Sequence, residues 1–278
     1  MEKMTMKTGD LSNLTGLTAQ TIRKYEDMGL LEAEKDQKSN YRHFRVDSVG
    51  KTIAIRYLRN MGCTLDEVAR VLSPMTQEEY VAFFDCLMQR QLQKLKYETL
   101  VCQAIEEQTR LFHSLMEDLH RCTLLTDQGF FFFDYMRNGQ ELPLSDQEKR
   151  QLHDWTEQAM FTKNASPFYH DRLYPGPERE PVMGLAVQEY YAREIGLDVS
   201  APVYRRSFPL CIYTRIHHDI DDTLKTGALE HVFRYLDSEG LSVCSQPFIF
   251  GDCTYYKKEN QPEHYSRLYI PVERRKKA

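Results

Sequence analysis

The chain has 278 residues, 36 Lys and Arg against 41 Asp and Glu, 12% aromatic residues and a mean hydropathy of −0.58. That length points to more than one folded unit, and the lack of any run of about 18 apolar residues argues against a spanning helix. Seven cysteines, at 63, 86, 102, 122, 211, 244 and 253, are scattered without close pairs, which argues against a secreted disulfide framework and fits a reducing cytoplasm.

The first ten residues, M-E-K-M-T-M-K-T-G-D, lack the apolar run of a signal peptide. Net charge is −5, yet residues 1–72 hold 12 Lys and Arg against 10 Asp and Glu. A weakly basic head on an acidic chain binds nucleic acid only through a few well-placed cations. Asp10–Leu14 begins a helix. Thr18 is an N-cap for the next, T-A-Q-T-I-R-K-Y-E-D-M, which groups Arg23, Lys24 and Tyr25 and stops at Gly29, where positive φ is cheap. The tip N-Y-R-H-F at Asn40–Phe44 suits a hairpin wing. Asp47 or Ser48 can cap a third helix through Ile53, Ile55 and Leu58, broken at Gly62. Thr64 and Glu67 form a capping box for a short fourth that ends near Ser73-Pro74.

From Thr76 to about His120 there is no Gly or Pro. Alternating steps of three and four from Val81 pass through Phe84, Met88, Gln91, Leu95, Glu98, Cys102, Ile105, Thr109, Phe112, Met116 and Leu119, and nine of these twelve positions are apolar. That is a coiled-coil seam, and the natural cover for it is the same helix of a second copy, giving a homodimer.

After about Cys122 the chain turns rich in Phe, Tyr and Pro. Strand-like runs cover Gly129–Met136, Val182–Tyr191, Tyr204–His217, Gln246–Tyr256 and Tyr265–Glu273, with helices at Ser145–Phe161 and about Asp222–Glu239. Strand, helix, strand, strand occurs twice, so the expected class is α+β with a duplicated βαββ domain. The expected domains are 1–75, a winged helix-turn-helix; 76–121, a dimerisation helix in an antiparallel coiled coil; and 122–278, the duplicated α+β domain. Phe130-Phe131-Phe132-Phe133 puts aromatics on both faces of a strand, so both faces are covered or one lines a pocket. The candidate pocket residues are Phe131, Phe133, Tyr135, Trp155, Tyr190, Tyr213, Phe248, Phe250, Tyr255 and Tyr269. Such rings attract a lipophilic cation through their quadrupoles, by about 0.5–2 kcal/mol per contact.

Helix, turn, basic helix and basic wing over residues 5–72 resemble the opening segment of MerR-family transcription regulators. The resemblance implies a dimer on a palindromic operator in promoter DNA, acting with RNA polymerase. It places Thr18, Ala19, Gln20 and Thr21 at the base edges, with Arg23 as base or phosphate ligand. Lys24, Tyr25, Tyr41 and Arg42 then hold phosphates, and Arg56 and Arg59 extend the clamp. Asn40 and Phe44 stand where the family usually has Gly and Tyr, so one phosphate contact is missing from the pattern.

Residues 125–275 resemble the GyrI-like effector-binding domain of multidrug-sensing members, most clearly in A-L-E-H-V-F-R-Y-L-D-S-E-G-L and in R-L-Y-I-P-V-E at Arg267–Glu273. The implied function is an activator that distorts an over-long promoter spacer when a bulky aromatic or lipophilic cationic compound binds. Arg267 stands where many relatives carry a glutamate that pairs with the cation. An acid such as Asp134, Glu189 or Asp252 must then take that role, or the pocket holds cations by aromatic contact alone, or it takes neutral or anionic ligands. A second reading is a metal- or thiol-sensing regulator using Cys86 and Cys122. Neither a catalytic constellation nor a cofactor is expected; His217 and His218 point to opposite faces of a strand.

Overall fold

A computed structural model describes residues 5–35, 41–175, 181–218, 227–256 and 262–275. The chain divides into two compact units, Met1–Lys96 and Tyr97–Ala278.

The first unit contains β1 (Thr5–Lys7), α1 (Thr8–Thr15), α2 (Ala19–Asp27), β2 (Ala33–Lys35), β3 (Arg42–Arg45), α3 (Asp47–Asn60), α4 (Leu65–Val71) and the first half of α5 (Gln77–His113). Local chemistry sets most of these boundaries. The Thr18 hydroxyl accepts the Thr21 backbone N–H at 3.1 Å, and Gly16 ends α1 at φ 65°. Thr64 and Glu67 exchange both bonds of a capping box at the start of α4. Neither Asp47 nor Ser48 caps α3: Val46 precedes the helix with helical φ and ψ, Asp47 sits in its first turn, and Ser48 is buried. An antiparallel sheet β1-β3-β2 lies against helices that bury Leu11, Ile22, Leu31, Phe44, Ile55 and Val68. Each such side chain contributes about 1.5–3 kcal/mol by leaving water. Arg90 on α5 donates to both oxygens of Glu67 on α4, at 2.7 and 3.2 Å, and Gln91 donates to the Met61 carbonyl.

The second unit continues with the rest of α5, α6 (Leu115–Asp118), β4 (Thr123–Arg137), β5 (Gln140–Glu141), α7 (Asp146–Glu157), β6 (Thr162–Pro167), β7 (Val182–Gln188), α8 (Glu189–Ile195), β8 (Tyr204–His218), α9 (Glu230–Ser238), β9 (Leu241–Val243), β10 (Phe248–Tyr256) and β11 (Pro262–Arg274). The α+β class and the doubled βαββ order, β4-α7-β6-β7 and β8-α9-β10-β11, are as expected, although β6 lies outside the strand runs read from sequence. The strands run β10-β6-β7-β4-β8-β11, all antiparallel, and β10 also pairs with β11. That last pairing closes a ring of six strands. All six contribute to one buried cluster: Phe130, Phe132, Ala165, Ala186, Phe208, Cys211, Phe248, Phe250 and Tyr269. Alternate residues face outward and pack against helices, Phe133 and Val187 with α7 and α8, Ile212 and Leu268 with α9.

Several boundaries differ from expectation. The long helix ends at His113, and a separate short helix follows before β4. The run Val182–Tyr191 is strand only to Gln188. Glu189 then opens α8, whose good helix formers end at Gly196 with φ 66° and whose Tyr191 and Ala192 are buried. The helix expected over Ser145–Phe161 covers Asp146–Glu157. Of the helix expected over about Asp222–Glu239, Glu230–Ser238 is helical and 227–229 form a turn, while 222–226 lie outside the described residues. Among the described residues no helix is long and apolar enough to cross a membrane.

Candidate nucleic-acid interface and ligand cavity

In the first unit α2 buries Ile22 and Tyr25 and leaves Ala19, Gln20, Arg23 and Lys24 exposed. Its N-terminal turn is therefore open to a partner on the side carrying its charges. Thr18 and Thr21 are joined by a 2.8 Å bond between hydroxyls, which fixes both side chains at that turn. Tyr25 is almost wholly within the core, so its ring packs there. Tyr41 is exposed beside β3, with the Lys7 ammonium 5.4 Å from its ring centre. The Arg42 guanidinium pairs with Glu26 of α2, tying wing strand to helix. Sequence reasoning missed that partner because 16 residues separate the two. Arg56 is exposed on α3; Arg59, also exposed, donates to the Cys63 carbonyl at the end of that helix. Asn40 lies outside the described residues, and Phe44 is fully buried against the helices. That burial explains an apolar residue at the position without invoking a ligand.

In the second unit a cavity of about 680 Å³ is bounded by Ala104, Ile105, Leu111 and Phe112 of α5, by Phe130 and Ala186 of the ring interior, by Phe161, Tyr191 and Phe250, and by Lys163, Gln188, Glu107 and Arg267. The size and the mixture of apolar walls with a few polar groups suit a drug-sized molecule. Register explains the composition. Lys163 lies opposite Ala186, Phe130 opposite Gln188, and Arg267 opposite both Phe250 and Arg215, so all face the same side. The Arg267 guanidinium lies 6.0 Å from the centre of the Phe250 ring. Tyr191 is buried close to Glu107; burial first, and then that carboxylate, push its hydroxyl pKa above the ordinary range.

Of the aromatic residues expected to form a pocket, Phe250 lines this cavity. Phe248, Tyr213 and Tyr269 belong to the interior cluster beside it. Phe131 and Phe133 point to the outer face, where Phe133 packs 5.7 Å from Trp155. Trp155 has no exposed surface and donates to the Asp198 carbonyl at 2.9 Å. It is a core residue and does not line the cavity. Tyr135 is half-buried, Tyr190 is exposed on α8, and Tyr255 is on β10 opposite Glu263. The cavity residues the sequence left unmarked, Tyr191, Lys163, Glu107 and Phe161, come from three different elements and the turn before β6. Of the three acids considered as counter-charges, Asp134 pairs with Arg137 and Glu189 with Arg205, both away from this cavity, and the Asp252 side chain lies outside the described residues.

Cys86 is exposed in the first unit and Cys122 is half-buried in the second. Burial pushes the Cys122 thiol up to about 11, which holds it protonated at neutral pH. Among the described residues no three His, Cys, Asp or Glu side chains converge as a metal site. His217 stacks on Tyr265 at 4.9 Å.

The first unit is thus a DNA-binding helix-turn-helix with a wing strand, its charged helix face open. Residues 6–74 match the MerR helix-turn-helix regulatory protein family, so the chain carries a MerR-type reading domain. It is 30% identical over 103 residues to nodulation protein NolA of Bradyrhizobium sp. (strain NC92), covering 37% of this chain and 40% of NolA. It is 27% identical over 119 residues to the mercuric resistance operon regulatory protein of Bacillus cereus, covering 43% of this chain and 86% of that one. A solved EcmrR–DNA complex covers 97% of this chain and 100% of its own at 15% identity, with a TM-score of 0.36. Such a distant likeness carries no functional weight.

Proposed function

We propose that the chain is a ligand-responsive, dimeric transcription regulator that binds promoter DNA through its MerR-type domain and responds to a bulky aromatic compound held in the ring cavity. The observation that supports the first half most directly is the open face of α2 carrying Arg23 and Lys24, in the segment that matches the family. In this reading residues 1–75 read DNA, 76–121 dimerise and 122–278 bind effector. Thr18, Ala19, Gln20, Thr21 and Arg23 face base edges. Lys24, Tyr41, Arg42, Arg56 and Arg59 hold the backbone, and Tyr25 supports them from the core. The palindromic operator follows from the two-fold dimer.

The mechanism rests on α5. It is one continuous helix of 37 residues that begins among DNA-reading elements and supplies Ala104, Ile105 and Leu111 to the cavity wall. A ligand that prefers one setting of that wall biases the helix, and through it the spacing of the two reading heads. Equal affinity for both settings would shift nothing. On an over-long promoter spacer, the biased state bends and untwists DNA so that RNA polymerase can engage, which makes the protein an activator.

The test is selection of duplexes from random sequence by the full-length protein. We expect a palindrome to be enriched, and Arg23→Ala to lose roughly tenfold or more of its preference for that site while retaining nonspecific binding. Absence of any enriched duplex would refute DNA reading. A selected operator that supports ligand-independent transcription across a broad panel of aromatic compounds would refute sensing alone.

A further inference from the structure

The ring of strands has two mouths, and each holds a cavity. On β4, β6 and β7 the cavity beside α5 is bordered by Phe130, Lys163 and Ala186. Asp134, Pro167 and Val182 stand four residues along the same strands, on the same faces, and border a second cleft of about 450 Å³. Phe132 and Phe248, both buried and 5.1 Å apart between ring centres, plug the interior between the two. Tyr204 and Arg206 of β8 also line this second cleft, and α5 contributes none of its described lining residues. The two cavities are therefore separate sites at opposite ends of one ring.

Arg206 gives the second cleft its chemistry. Its guanidinium carbon lies 5.1 Å from the centre of the Tyr204 ring and 5.2 Å from that of Phe248, so two aromatic faces support the charge. Rings do not satisfy its N–H groups, however, and Nε is buried with no hydrogen-bond partner. Buried donors are almost always paired, and an orphan points to an acceptor that belongs there. The acid in the cleft does not supply one: Asp134 is engaged by Arg137 at 3.2 Å. Burial holds the Tyr204 hydroxyl up at about 12, with Arg206 opposing that only in part, so the hydroxyl is a donor at neutral pH. We propose that this cleft is a second ligand site, one that takes a small organic carboxylate. The fork of Arg206 holds both oxygens, the Tyr204 hydroxyl donates to one of them, and Pro167 and Val182 cover the hydrocarbon part. Because Nε is buried, seating the acid takes a small turn of the guanidinium on its platform of rings. A doubly charged phosphate is disfavoured, since the Asp134 carboxylate repels it more than a single negative charge.

Benzoate and benzamide, matched in shape and differing in charge, test this in ligand-observed NMR titrations of the full-length protein. We expect benzoate to bind roughly tenfold or more tightly. Arg206→Gln should abolish that preference, and Arg206→Lys, which keeps the charge but loses the fork, should restore only part of it. Val182→Trp fills the cleft from β7 and leaves the guanidinium in place; it should remove benzoate binding as well. Circular dichroism melting identifies which variants are folded, and either Arg206→Gln or Val182→Trp suffices. Equal affinity for the two probes overturns the proposal. So does a preference for benzoate that survives in a folded variant, since the acid is then read elsewhere. Displacement of benzoate by an equal concentration of inorganic phosphate overturns the carboxylate assignment. None of these outcomes bears on the cavity beside α5, whose reading as the effector site stands or falls separately.

Discussion

His231 on α9 shows how a single buried group ties stability to pH. Burial, and then the charge of His120 at 5.0 Å between ring centres, lower its pKa from 6.5 to about 4. Its Nε2 shares a 2.8 Å hydrogen bond with the Thr214 hydroxyl. The folded state therefore favours neutral imidazole, whereas the unfolded chain takes up a proton near 6.5. The stability it contributes is whole above pH 6.5 and is lost as pH falls toward 4, by up to about 3 kcal/mol. Urea unfolding between pH 7 and 4.5 should show that decline in the native protein and a clearly smaller one in His231→Gln. Parallel curves would place the acid sensitivity elsewhere. Nothing in the local sequence A-L-E-H-V-F announces this, because the burial comes from tertiary packing and His120 comes from the segment after α6.

At the scale of elements, what could be read from sequence was what neighbours in sequence determine. Thr18, the Thr64–Glu67 capping box, and the left-handed glycines Gly29 and Gly62 are local devices, and the helices of the reading domain end where these residues stand. Faces of the ring are a different matter. The four consecutive phenylalanines of β4 cover both faces, as alternation requires, but which pair looks inward depends on pairing with β7 and β8, strands more than 40 residues away. Phe131 and Phe133 were expected in the pocket, yet the register turns them toward the outer face, and Phe130 borders the cavity. The same register leaves no room at Gly184 on β7. A Cβ there would stand 2.4 Å from the Phe133 carbonyl oxygen and 2.6 Å from the Phe132 ring. Gly184→Ala must therefore displace β4 backbone, and it should destabilise the second unit by about 1–3 kcal/mol. Circular dichroism melting checks this, and an unchanged melting temperature would mean that β4 and β7 shift freely.

For the molecule as a whole, the seam of α5 is the outstanding exposed apolar surface among the described residues. Met88 and Leu95 are 60% and 64% exposed, and Val81 and Leu92 are exposed with them. An apolar stripe of this length is costly in water, and a second copy is the cover the proposed function requires. Leu95→Glu places a charge in that seam. Sedimentation should find native protein dimeric at micromolar concentration and the variant shifted to monomer, with operator affinity falling because two half-sites are no longer engaged together. A native protein that sediments as a monomer would remove the two-fold operator from the proposal. The seam was legible from its three-and-four spacing alone, whereas the point at which the helix stops, His113, depends on how Leu111 and the following turn meet β8.

Strand β11 pairs with three others, β8, β9 and β10. During synthesis β8 and β10 exist before β11 has left the ribosome, so each must wait with an open hydrogen-bonding edge. The DNA-reading segment, more than 180 residues upstream, has its complete core by then. A nascent chain therefore passes through an interval in which its N-terminal half can fold while its sensor cannot close. In that interval the open edges of β8 and β10 are the natural points of engagement for a chaperone.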